Sequence, residues 1–252
     1  MRQPKIAVQL YTLREEMEND PKQTLRTVAD LGFDGVEFAG YGGLSVEEMK
    51  ETIDHLGLKA ASSHVPLAVL KEDLVGAIKE QKILGSKYLV VPFLMEDGRS
   101  EEDYQALIAF LQEAGKTCKR EGIRLCYHNH DFELDVLPTD GRQALTAIFD
   151  ETNRDDVMTE LDVYWLKKRE EDPLEWVQRY KGRTPLVHLK DMTTDDEKFF
   201  AELGTGGVDI EAITKLAMTQ PIEWWVIEQD VSRKSPLESI AISMKYLKQI
   251  TK

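Results

Sequence analysis

Cysteine is scarce in this chain. Among 252 residues only Cys118 and Cys126 occur, and they do not form a Cys-x-x-Cys pair. A disulfide framework is thereby excluded, and the two read as reduced, buried residues of a cytosolic protein. A disulfide between them is the minor reading, because reducing compartments do not sustain one. Long apolar runs are also missing. None approaches the roughly 18 residues of a membrane span. Met1-Arg2-Gln3-Pro4-Lys5 leads straight into a strand-like run, without the apolar core and cleavage site of a signal peptide. A cytoplasmic location and no membrane partner are the expectations. Positive charge is short as well: 32 Lys and Arg face 46 Asp and Glu, a formal net charge of −14, with no dense basic run. That argues against a nucleic-acid partner, which needs a clustered Lys/Arg surface.

What is present is alternation. Strand-like runs at Ile6–Tyr11, Val36–Phe38, Leu58–Ser63, Lys87–Pro92, Ile123–Asn129, Val157–Leu161, Pro185–Leu189 and Trp224–Ile227 alternate with helical stretches. Ser45 with Glu48 forms a capping-box pattern, and Asp172-Pro173 and Ser235-Pro236 place proline at the first helical position. Runs such as Tyr88-Leu89-Val90-Val91 fit parallel strands covered on both faces. An open doubly wound sheet usually carries a glycine-rich turn after its first strand. Here that turn reads Tyr11-Thr12-Leu13-Arg14, without glycine. The expected fold is α/β: a single (β/α)8 TIM-barrel domain spanning residues 1–252.

Active sites of such barrels lie at the C-terminal ends of the strands. Those ends carry Gln9 and Tyr11, Glu37, His64, His128 and His130, Asp162, His188 and Lys190, and Glu228 and Asp230. Side-chain alternation puts Arg124, Cys126, His128 and His130 on one face of the fifth strand and Ile123, Leu125 and Tyr127 on the other. The apolar face suits the helices, so both histidines point into the barrel mouth. By the same rule Glu160 and Asp162 share a face. His128, Asp162, His188 and Glu228 form a set of two imidazoles and two carboxylates. That set suits one divalent ion of manganese, cobalt, iron or zinc. Lacking thiolates, it resembles a catalytic rather than a structural site.

In order and spacing, Val8-Gln9-Leu10-Tyr11, Gly35-Val36-Glu37, Ser63-His64-Val65-Pro66, Tyr127-His128-Asn129-His130, Leu161-Asp162-Val163-Tyr164-Trp165, Val187-His188-Leu189-Lys190-Asp191, Gly204-Thr205-Gly206 and Ile227-Glu228-Gln229-Asp230 carry a likeness. Through them the chain resembles the sugar phosphate isomerase/epimerase superfamily with the xylose-isomerase-like barrel. Its members include ketose 3-epimerases, inosose dehydratases and isomerases, and apurinic endonucleases. The resemblance implies metal ligands at His128, Asp162, His188 and Glu228. It also marks a departure: the family often has glutamate where His128 stands. The two-glutamate acid/base pair of the epimerases is therefore missing, and Glu228 needs another proton-transfer partner. His130 and Lys190 are the candidates, each as a base if burial or a metal lowers its pKa. Trp165 stands where epimerases often carry a substrate-binding histidine, and reads as a stacking face for a sugar ring.

His64, Glu37, Gln9, Tyr11 and Glu133 complete the candidate substrate contacts. Glu37 reads equally well as the partner of an internal arginine, Arg14 or Arg124. Glu133 is one residue closer to His128 than its family counterpart. Lys190 has a further reading as an ion-pair partner of Asp191. Gly204-Thr205-Gly206-Gly207 precedes a helix and reads either as a phosphate cradle or as a rim loop. The expected activity is isomerisation or epimerisation of a keto-sugar, sugar phosphate or cyclitol through a metal-stabilised enediolate. The alternative is a lyase dehydrating an inosose or cleaving a 3-keto-glycoside. A phosphodiesterase would need more histidines than the five present. The partner is a small sugar, and the resemblance admits a homo-oligomer without fixing one.

Overall fold

The computed structural model describes residues 3–251. In chain order its strands are β1 (Lys5–Gln9), β2 (Gly35–Phe38), β3 (Lys59–His64), β4 (Tyr88–Val91), β5 (Arg124–His128), β6 (Val157–Asp162), β7 (Leu186–Leu189), β8 (Asp191–Met192), β9 (Phe200–Ala201) and β10 (Trp224–Ile227). The helices are α1 (Arg14–Asn19), α2 (Pro21–Asp30), α3 (Val46–His55), α4 (Leu67–Leu84), α5 (Glu101–Arg120), α6 (Ala144–Glu151), α7 (Val163–Lys168), α8 (Pro173–Arg179), α9 (Ile210–Ala217) and α10 (Pro236–Ile250). Strands β1 to β7 and β10 close a barrel in the order β1-β10-β7-β6-β5-β4-β3-β2, with β10 paired in parallel to both β1 and β7. This is the single (β/α)8 domain expected. Met1 and Arg2, part of the segment read as carrying no leader, lie outside the described residues. Among the described residues no helix is long and apolar enough to cross a membrane.

Period-two alternation divides each strand between two cores. Ala7, Tyr88, Val90, Cys126, Met158, Leu186, Trp224 and Val226 pack together inside the barrel. Leu125, Tyr127, Leu161, Val187 and Leu189 belong to the larger layer between strands and helices. The fifth strand therefore faces as its sequence predicted. Trp224 fills the barrel floor because residue 35 is glycine: a Cβ there would lie 2.9 Å from the indole and 2.3 Å from the Lys59 carbonyl. Cys118 and Cys126 are buried and unpaired.

The caps read from sequence are formed. Ser45 Oγ accepts from Glu48 N–H at 3.1 Å, and the Glu48 carboxylate accepts from Ser45 N–H at 2.8 Å. Asp172 accepts from Leu174 N–H at 2.8 Å. Some elements differ from the sequence reading. β1 stops at Gln9, and Leu10–Leu13 turn into a 3-10 helix because the Gln9 side chain accepts from Tyr11 N–H at 3.0 Å. Helix α4 begins at Leu67 and is broken at Asp73. Helices α1 and α7 were not foreseen, and the cap of α7 shapes the site.

Candidate active site

Asp162 ends β6 and caps α7. Its Oδ1 accepts from Tyr164 N–H at 2.9 Å and Trp165 N–H at 3.4 Å. Oδ2 is left buried with no aligned hydrogen-bond donor. The backbone at this point is held by Asn129, whose Oδ1 accepts from Asp162 N–H at 2.9 Å. Thus the middle residue of His128-Asn129-His130 fixes Asp162 while its neighbours face the mouth.

His128, Asp162, His188 and Glu228 converge. Each offers a ligand atom, these lie within 4.8 Å of one another, and all four residues are buried. His128 Nε2 is 3.7 Å from Asp162 Oδ2, and His188 Nδ1 is 2.8 Å from Glu228 Oε2. Asp162 Oδ2, which has no aligned hydrogen-bond donor, faces the Lys190 ammonium at 3.0 Å and is the kind of buried oxygen that a cation stabilises. Two imidazole nitrogens and two carboxylates fit one borderline divalent ion. The four residues singled out as ligands in the sequence are thus brought together, and the set fits the expected metal.

Lys190 stands beside them. Its Nζ is 3.0 Å from Asp162 Oδ2, 2.6 Å from Glu228 Oε2 and 2.7 Å from Asp230 Oδ1. Asp191 is not its partner. Burial alone would lower the lysine pKa, but Asp162, Asp230 and Glu228 outweigh it and hold the ammonium well above its ordinary value. This corrects the expectation of a pKa lowered for a base: three carboxylates keep the amine protonated. Glu228 faces the same contest. Burial opposes its charge, yet Lys190 and His188 hold it well below the usual carboxylate range. Asp162 is pushed up by burial to about 6.

His130 meets its expected direction. Burial and the neighbouring His128 lower it well below the ordinary histidine value, so it is neutral, and its Nδ1 has no hydrogen-bond partner. Its ring is stacked 5.5 Å from Phe132 and lies 5.3 Å from Trp165, with the Phe93 edge at 6.0 Å. Trp165 is half-buried, and Phe200 closes against it at 5.8 Å. An aromatic wall therefore borders the ligand cluster, as the stacking reading of Trp165 requires.

Under the cluster lies a layer of carboxylates. Glu37 is fully buried, and its oxygens accept from Gln9 Nε2 at 2.6 Å, from Ser62 Oγ, and from His188 Nε2 at 2.6 Å. Neither Arg14 nor Arg124 is its partner; Arg14 instead donates to the Tyr11 and Asp230 carbonyls. Gln9 and Glu37, expected at the substrate, face each other below it. Glu160 is also fully buried, with Oε2 2.6 Å from His64 Nε2 and 3.1 Å from His128 Nδ1. The alternation that paired it with Asp162 was its only sequence signal. His64 is the exposed member of this layer, its side chain 12% accessible. Tyr11 is at the rim, nearly half exposed and packed on the Arg14 guanidinium.

Two expectations are redirected by hydrogen bonds. Glu133 is sealed: it accepts from Tyr127 OH at 2.7 Å and His130 N–H at 2.8 Å, which leaves no oxygen turned to the mouth. The glycine loop is occupied by the chain itself. Asp191 accepts from the N–H groups of Met192, Gly204, Gly206 and Val208 at 2.8–3.0 Å. The donors a phosphate would need are spent on an internal carboxylate, which corrects the cradle reading.

An inosose dehydratase of Clostridium beijerinckii is 25% identical over 93% of this chain and 91% of its own length. A solved sugar phosphate isomerase/epimerase from Parabacteroides distasonis superposes with a TM-score of 0.81 at 26% identity, covering 98% of this chain and 94% of that one. A D-allulose 3-epimerase from a Methylomonas species shares the fold at a TM-score of 0.74 and 18% identity, over 99% of both chains. The family described as xylose isomerase-like TIM barrel matches residues 25–250, and the chain belongs to it.

Proposed function

We propose that this chain is a divalent-metal-dependent lyase acting on a carbonyl sugar or cyclitol. A proton next to the carbonyl is removed, and the hydroxyl or alkoxy group on the following carbon is expelled. A cation held by His128, Asp162, His188 and Glu228 would supply Lewis-acid polarisation of the carbonyl. The proton transfers belong to the chain's own side chains. Glu228, ionised, accepts the α-proton; the C–H electron pair becomes the new double bond. The C–O bond breaks, and the leaving oxygen takes its proton from the Lys190 ammonium. Trp165 and His130 border the ring.

The sequence ranks isomerisation first and elimination second. One observation favours elimination over epimerisation: Lys190 Nζ and Glu228 Oε2 are 2.6 Å apart. An acid and a base in contact serve one face of a substrate. Elimination of adjacent groups from one face uses that arrangement, as does proton transfer between neighbouring carbons in isomerisation, whereas epimerisation needs proton delivery from opposite faces. The full-length likeness to an inosose dehydratase supports the same order. Isomerisation remains the second reading, favoured by the likeness to the Parabacteroides isomerase/epimerase.

The test is incubation of the manganese-loaded protein with a panel of inososes, keto-sugars and 3-keto-glycosides in deuterated water. An enone or a released aglycone supports the lyase. Deuterium entering a recovered sugar without loss of water or aglycone would replace it with the isomerase. Protein purified without metal that gains nothing from added divalent ions would sink both.

A further inference from the structure

Beside the mouth, apolar surface is left uncovered. A groove of about 330 Å³ lies between the segments that follow β3 and β4, with Pro66, Leu67, Phe93, Leu94, Met95 and Ala106 in its lining. Phe93 is 37% exposed and Met95 65% exposed. Exposed apolar side chains gathered in one concavity mark a binding site, whereas scattered ones need no explanation. The walls are fixed by hydrogen bonds. Val65 N–H donates to the Val90 carbonyl at 2.9 Å and ties the segment after β3 to β4. Helix α4 breaks at Asp73, whose Oδ1 accepts from Gly76 N–H at 2.8 Å, so residues 67–72 form a separate turn along the groove. Opposite, Arg99 Nε donates to the Leu94 carbonyl at 3.0 Å, and Gly98 N–H to the Met95 carbonyl at 2.9 Å.

The groove is continuous with the ligand cluster. Phe93 lines it and also sets its ring 6.0 Å from His130, edge to face, while His130 lies 5.1 Å from His128. Two aromatic contacts therefore lead from the cluster to the groove. Arg99 braces this path, its guanidinium 3.4 Å from the centre of the Phe132 ring on which His130 stacks. The size selects the occupant. Small-molecule sites start at about 300 Å³, whereas a stable protein partner needs about 800 Å² on each side. The charged lining residues are Lys71 and Asp103, and the Asp103 carboxylate is engaged by Ser100 N–H at 3.0 Å. The surface left for a ligand is apolar and aromatic with one ammonium, which suits a ring system better than a second sugar.

We infer that this groove is the subsite for the leaving group, and that the substrate is a 3-keto-glycoside whose aglycone is an aryl group of two or more rings. The inference rests on the lyase reading above. A bare inosose expels water and has nothing to place in the groove. In an aryl 3-keto-glycoside the carbonyl is at the third carbon, the acidic proton at the second and the aryloxy group at the first. Glu228 takes the proton, and the C–H electron pair forms the double bond between the first and second carbons. The bond from the first carbon to the aryl oxygen breaks, its pair stays on that oxygen, and Lys190 protonates it. The products are an enone sugar and a phenol. Phe93 offers the aglycone a ring to pack on, and Met95 an adaptable contact.

Binding and turnover test the subsite and the reaction separately. In calorimetric titration of the full chain, naphthyl glucoside should bind more tightly than phenyl glucoside; neither carries the keto group, so neither is consumed. Burying about 50 Å² of additional ring should tighten binding roughly tenfold. Ala106→Trp fills the groove from an exposed position on α5 and should erase the preference. With manganese-loaded protein and the 3-keto forms of the same two glycosides, whose phenols are of similar acidity, the naphthyl compound should show a roughly tenfold lower KM at similar kcat. Equal affinities for the two glucosides and equal KM values for their keto forms overturn the inference and leave the lyase standing; wild type alone decides this. A ring preference in binding without turnover of either keto-glycoside removes the lyase reading, and with it the leaving-group role, and keeps the groove as an aryl subsite. A wild-type dimer that Met95→Glu splits in sedimentation, with no ring preference, gives the groove to a second copy of the chain and overturns the inference.

Discussion

Lys190 Nζ stands 3.0 Å from Asp162 Oδ2, the oxygen of that carboxylate that α7 does not use. The same ammonium touches Glu228 Oε2 at 2.6 Å. It therefore neutralises the two carboxylate atoms that converge with the histidine nitrogens. Lys190→Met removes the only lysine from this buried group and leaves three carboxylates facing one another. Uncompensated buried charge costs about 3–5 kcal/mol. The metal-free variant should melt well below wild type, and manganese should raise its melting temperature more than it raises that of wild type. Equal melting curves with and without metal for the two proteins would show that Lys190 does not balance this charge.

Asp162 has two separable tasks. Asp162→Asn keeps an oxygen to cap α7 but removes the charge at the other position. Its metal-free stability should stay within about 1 kcal/mol of wild type, since asparagine caps as well as aspartate. Manganese binding should fall at least about 100-fold, by analogy with losing a charged ligand from a divalent site. Asp162→Ala loses both tasks. A variant at this position that keeps both metal and activity would falsify the ligand assignment.

Glu133 provides a pH test away from the cluster. Burial pushes its pKa up to about 7, against 4.5 unfolded. The folded state therefore binds a proton between those values that the unfolded state has lost. The stabilisation is fully present below pH 4.5 and disappears as pH rises through 7. A shift of this size corresponds to roughly 3 kcal/mol at most. Glu133→Gln keeps an acceptor for Tyr127 OH or His130 N–H and cannot ionise. The stability of the variant relative to wild type should rise between pH 5 and pH 8 in urea titrations. A difference that does not change across this range would mean that Glu133 titrates normally.

The barrel was legible because eight apolar runs and their turn signals all obey one period. The ligand set was legible because strand ends in this fold meet in space, so His128, Asp162, His188 and Glu228 could be read together. What escaped was the layer below. Glu160 sits inside β6 rather than at its end, and only alternation placed it under His128. Gln9 and Glu37 were assigned to substrate because both are polar and near strand ends. No sequence signal says that a glutamine Nε2 and a serine hydroxyl will bind the carboxylate from beneath. Helix α7 was hidden because Asp162 was read only as a strand-end ligand, while in the structure it also caps the helix. The direction of the Lys190 shift was missed for a similar reason. It depends on Asp162, Glu228 and Asp230 arriving together from two other strands.

Asp191 carries the last prediction. Its carboxylate holds four backbone N–H groups of the loop that ends at Val208. Gly206 is needed there, since a Cβ would lie 2.4 Å from Asp191 Oδ1 and 2.2 Å from the Met192 carbonyl. Asp191→Ala leaves those donors without an acceptor, at a cost of about 1–3 kcal/mol for each that stays buried and unsatisfied. The cavity so formed keeps the donor geometry of an anion site. Inorganic phosphate or sulfate should therefore raise the melting temperature of Asp191→Ala and leave wild type unchanged, read by thermal denaturation at fixed ionic strength. Wild type stabilised by phosphate as strongly as the variant would return this loop to the role of a phosphate cradle. It would also bring a phosphorylated sugar back among the substrates to be tried.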